Sequence, residues 1–135
     1  MSKNIQSIPL NSELIKALIL SKARFAHQLK FMATEVGAFN ADVLYIDKKD
    51  QLIEVEVKIS KSDLINDFKK RKHLYFDSPN QQEFTPHYFY FCTPEFLIDD
   101  AQEILKDTKY GLLKCLNWYG NIRASSDKII IIKKA

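Results

Sequence analysis

The chain has 135 residues, 46% of them hydrophobic, and its 20 basic and 17 acidic residues leave a net charge of +3. A chain of this length is expected to form one domain over residues 1–135, burying roughly two-thirds of the surface exposed on unfolding without help from disulfides. The two cysteines, Cys92 and Cys115, lie far apart outside any CxxC pair, which disfavours structural zinc and fits buried free thiols in a reducing compartment; with no cleavage site near the start and no membrane-length apolar run, a soluble cytoplasmic protein is expected.

From Asn11 or Ser12, each able to cap a helix, Leu14, Ile15, Leu18, Ile19 and Phe25 recur at helical spacing, with Lys16, Lys22 and Arg24 between them. "KFMATEV" reads as a strand, Gly37 and Asn40 as a turn, and "ADVLYID" and "LIEVEVKI" as two strands joined by a polar turn at "KKDQ", giving an antiparallel meander. Ser60 followed by Asp63 is an S-x-x-[DE] helix start, and Leu64, Ile65 and Phe68 supply the apolar stripe. After the loop "DSPNQQEFTP", the aromatic run "HYFYFCT" predicts a central strand, in which alternate rings face opposite layers and pack as core in preference to stacking on bases. Thr93 and Pro94 are placed to open the helix "EFLIDDAQEILKD"; "GLLKCLN" and "KIIIIKK" predict further strands, and Trp118 and Tyr119 an exposed turn. No linker or repeat divides the chain, so the fold class is mixed α/β, with helices covering a sheet that contains the meander.

Side chains alternate along a strand, so Ile53, Val55, Val57 and Ile59 share one face while Glu54, Glu56, Lys58 and Ser60 share the other. Simple solvation of that second face is the plainest explanation. Asp42 opens the preceding strand, however, and in an antiparallel hairpin the start of one strand lies beside the end of its partner, so Asp42, Glu56 and Lys58 can converge. Clustered carboxylates repel unless compensated, and their hard oxygens suit Mg²⁺ or Mn²⁺. A metal held by Asp42, Glu56 and the Val57 main-chain carbonyl could polarise a phosphodiester and activate water, with Lys58 stabilising the growing charge.

At these residues the sequence resembles the PD-(D/E)xK nuclease superfamily, through Asp42 and the triplet Glu56-Val57-Lys58. Within it, "ADVLYID…EVEVKISKSDLINDFKK…HYFYFCTPE" looks like the MmcB-like group of DNA repair nucleases and related phage proteins, over roughly residues 34 to 96. Ala41 stands where the motif often has proline, without removing a ligand. The resemblance implies a restriction-endonuclease-like αβββαβ core and a Mg²⁺- or Mn²⁺-dependent endodeoxyribonuclease acting on DNA in repair, recombination or phage DNA metabolism. A homodimer pairing two sites is the arrangement that double-strand cleavage would need. Members often take another acid from the first helix. Glu13 is available but also favours the helix dipole, and Glu35 is the stronger candidate for an added ligand or orienting group.

Lys61, Lys69, Lys70, Arg71 and Lys72 could neutralise DNA phosphates or simply complement a helix C-terminus. His73 and His87 lack HxH or HExxH spacing and read as packing or capping residues. No Walker or Rossmann glycine pattern calls for a nucleotide cofactor. Two other readings compete with the nuclease: a nucleic-acid-binding module of the same fold that hydrolyses poorly, and a small α/β interaction domain whose polar hairpin face is only solvated.

Overall fold

The computed structural model describes residues 8–36, 41–67, 86–120 and 127–135. Helix α1 (Ser12–Ser21) passes directly into a π-helical turn, Lys22–Ala26. Strands β1 (Met32–Val36), β2 (Ala41–Ile46) and β3 (Leu52–Val57) follow, then α2 (Lys61–Asp67), β4 (Tyr88–Pro94), a 3₁₀ turn at Glu95–Leu97, α3 (Ile98–Leu105), β5 (Gly111–Cys115) and β6 (Ile129–Lys133). The strands form one six-stranded sheet in chain order. Pairs β1–β2, β2–β3 and β5–β6 are antiparallel, and β3–β4 and β4–β5 are parallel. The parallel pairs are those whose connections contain helices, because a parallel neighbour needs a crossover where an antiparallel one needs only a turn.

The two faces of the sheet carry separate cores. On one, Ile15, Leu18 and Ile19 of α1 pack on Val43, Val55, Val57, Cys92 and Leu113. On the other, Leu64 of α2 and Ile98, Ala101 and Leu105 of α3 cover Phe89, Phe91 and Leu112. Phe89, Phe91 and Tyr110 meet edge-on or tilted, at centroid distances of 5.0 to 5.7 Å, favourable aromatic geometry. The alternation expected of the aromatic strand is present: Phe89 and Phe91 enter one core, and Tyr90 packs against the other.

Local signals explain the helix starts. Asn11 caps α1 by accepting the Leu14 N–H at 2.8 Å, and the Ser60 hydroxyl accepts the Asp63 N–H at 3.2 Å at the start of α2. Several expectations need correction. Phe25 does not join the apolar stripe of α1 but is 74% exposed, because the π turn changes the residues per turn and rotates it off the buried face. Thr93 and Pro94 end β4 instead of opening a helix, and no side chain caps the 3₁₀ turn that follows. Ile59 and Ile65 are exposed, Ile59 because β3 has already ended. Trp118 is half-buried against the α1-side core and bridges Ile8, whereas Tyr119 is exposed as expected.

Candidate active site

The strand register decides which polar residues can meet. Glu35 lies between the pairs Thr34–Val43 and Val36–Ala41, and so stands opposite Asp42. Asp42 is in turn one step beyond the pair Val43–Val55, opposite Glu56. Three carboxylate residues therefore occupy one row across three neighbouring strands. Glu35 has φ 54°, a left-handed conformation that costs a non-glycine residue roughly 1–2 kcal/mol; the pairs formed by the residues before and after it, Thr34 and Val36, hold it there.

Asp42 is fixed by its own hairpin. Its Oδ2 accepts the Val57 N–H at 2.8 Å, so its carboxylate lies against the peptide of another candidate ligand. Glu54 and Glu56 alternate with the valines and are almost fully buried, 4% and 2% exposed. That burial counts against a merely solvated hairpin face, since carboxylates are rarely so enclosed unless paired.

Lys58 follows β3, and its N–H continues the parallel ladder to the Cys92 carbonyl at 3.0 Å. Its ammonium is also buried, 2.7 Å from Asp67 Oδ1 and 4.0 Å from Glu56 Oε2. Asp67 belongs to α2, one turn after Leu64 on the same apolar face. On the other side of the row, Lys16 of α1 reaches three carboxylates: Glu35 at 3.0 Å, Glu13 at 3.2 Å and Asp42 at 3.7 Å. Burial works to lower the Lys16 pKa, but the hydrogen bonds its ammonium donates to Glu35 and Glu13 and the charge of Asp42 outweigh it, and the net shift is upward.

The structure thus joins Asp42 to Val57 directly, Glu56 to Lys58, and Glu35 and Glu13 to Asp42 through Lys16. Among the described residues, no three His, Cys, Asp or Glu side chains form a ready-made metal cage. The acidic groups face two protein ammonium groups. Of the predicted phosphate contacts, Lys61 is exposed and lies 3.7 Å from Asp100, and Lys69, Lys70, Arg71 and Lys72, with His73, fall outside the described residues. His87 is structural: its Nδ1 accepts the Leu52 N–H at 2.9 Å, and its own N–H returns to the Leu52 carbonyl.

Sequence pattern alone does not mark Lys16 and Asp67 as site residues. Each had a signal: Lys16 is a cation next to the buried stripe and one turn from Glu13, and Asp67 is a carboxylate on the apolar face of a short helix. Thr93, by its sequence context, points only to a helix cap. Its hydroxyl is buried without a hydrogen-bond partner among the described residues.

No protein-family model matches the chain, and no curated protein does. A solved protein of unknown function from Silicibacter pomeroyi is similar in structure, with a TM-score of 0.60 and 16% identity, over 95% of this chain and 74% of that one. At that identity the likeness concerns the fold: a six-stranded mixed sheet flanked by helices. No helix among the described residues is long and apolar enough to cross a membrane.

Proposed function

We propose that this protein is a metal-dependent endodeoxyribonuclease with a restriction-endonuclease-like core, in which Asp42 and Glu56 are the metal ligands. The observation that carries the reading is the register row Glu35–Asp42–Glu56, with Lys58 two residues beyond Glu56 on the same strand path. The donors suit the group: Asp42, Glu56 and the Val57 carbonyl offer hard oxygens, as Mg²⁺ or Mn²⁺ prefers. Bound there, such an ion would polarise a phosphodiester oxygen and lower the pKa of a coordinated water. The chain's own residues supply the rest. The Val57 N–H orients Asp42, and Asp67 holds the Lys58 ammonium beside Glu56, where it can offset charge on a phosphate oxygen. Glu35 serves as an orienting group through Lys16.

A second reading, a DNA-binding module that hydrolyses poorly, draws on a specific observation: both ammonium groups already neutralise carboxylates of the row, so a divalent ion must compete with them. Incubation with labelled single-stranded, duplex, flapped and four-way DNA, with and without Mn²⁺, separates the two. Metal-dependent cleavage of any substrate is expected of the nuclease; tight binding without cleavage supports the module.

A further inference from the structure

At the end of the β2–β3 hairpin remote from Asp42, the α1 face of the sheet opens into a cavity of about 550 Å³. That volume lies within the range typical of small-molecule sites. Its wall is built from aromatic rings in register: Tyr45 pairs with Ile53 and Ile53 with Tyr88, so one row presents two tyrosines across three strands, and Tyr90 follows two residues along β4. Tyr90 occupies space that only glycine leaves free. It pairs with Gly111, where an added Cβ would come within 2.3 Å of the Tyr90 ring. The opposite wall is the π turn, a local irregularity frequent at functional sites.

Around these rings stand Lys22, Lys48, Lys49 and Lys134. Lys22 donates to the Ile129 carbonyl, while Lys48, Lys49 and Lys134 have no ion-pair partner among the described residues. Among the described lining residues the one side-chain carboxylate is Asp47, whose Oδ1 accepts the Lys49 and Gln51 N–H groups of the turn, at 2.8 and 2.9 Å. His27, on the rim, feels this surplus: burial and the charges of Lys22 and Lys48 hold its pKa below the usual histidine value.

We propose that this cavity binds a ring-bearing phosphomonoester about the size of a nucleoside monophosphate, its ring against Tyr45, Tyr88 and Tyr90 and its phosphate among the lysines. Stacking on aromatic rings tolerates many ring identities, and ammonium groups act as point charges toward phosphate. No glycine-rich loop takes part, which is why no sequence motif announces the site.

Calorimetric titration with adenosine monophosphate, adenosine and inorganic phosphate tests the proposal. Saturable binding of the nucleotide is expected, at least tenfold tighter than either half alone. The doubly substituted Lys48→Glu/Lys49→Glu protein, altered only at exposed turn positions, should lose at least tenfold in affinity with unchanged melting, and Tyr88→Ala should lose several-fold. Asp42→Asn should bind as the native chain does, which separates this site from the proposed nuclease centre. No saturable binding of the nucleotide, equal affinity for phosphate and nucleotide, or indifference to the lysine substitutions would overturn it.

Discussion

Lys16 and Lys58 approach the same row of acids from opposite layers of the protein, and they are held in different ways. Lys58 is enclosed with a fully buried partner, Asp67, and a nearly buried one, Glu56. Lys16 is comparably enclosed, but its partners Glu13 and Glu35 are more than half exposed, and only Asp42 is largely covered. The difference is one of alternatives. If Lys58 is lost, carboxylates remain in a dry interior, whereas if Lys16 is lost, two of its three acids can turn to water.

The largest effect that sharpens this contrast is on Asp67. Asp67→Leu leaves the Lys58 ammonium buried beside an apolar residue and should cost about 3–5 kcal/mol, as broken buried pairs do, in urea unfolding. Adding Lys58→Met should restore part of that loss; a double variant less stable than the single one would break the claim that the two form a coupled unit. Lys16→Met should cost only about 1 kcal/mol, because exposed partners return little. A loss as large as that of Asp67→Leu would erase the distinction.

Alkaline titration gives a smaller effect. The folded Lys16 pKa lies above its ordinary 10.5, so its stabilisation is complete below that value and is lost as pH rises through the folded pKa. Burial also raises Cys115 to about 11 and Tyr45 to about 12. These groups are neutral when protonated and ionise first in the unfolded chain, so native and Lys16→Met proteins should both weaken as pH rises above about 9. The gap between the two should close only at still higher pH. Smallest is Thr93→Val, which removes a buried hydroxyl without a partner among the described residues and should gain up to about 1 kcal/mol in the same urea assay. A loss would mean that the hydroxyl is engaged in solution.

Much of this arrangement was legible along the chain. The meander followed from alternation in "VLYI" and "LIEVEV", and the opposition of Asp42 and Glu56 from the turn between them, because hairpin pairing is local. Lys16 and Asp67 were not legible as site residues: their partners lie on other elements, and a helical cation or acid carries no mark of the strand it will meet. Phe25 misled because an apolar residue at helical spacing looks the same whether the helix continues or relaxes into a π turn. The sequence also implied bare repulsion among the acids, so that Asp42→Asn would stabilise the metal-free protein. With Lys16 and the Val57 N–H compensating Asp42, the expected change in melting is small, since the Asn amide oxygen can still accept from Val57.

That near-neutral substitution makes the proposed chemistry testable without disturbing the fold. Single-turnover cleavage of labelled DNA with Mn²⁺ should proceed in the native protein, fail without metal, and fall at least a hundredfold in an Asp42→Asn protein that melts normally. Cleavage that needs no metal, or that survives Asp42→Asn unchanged, would contradict the account.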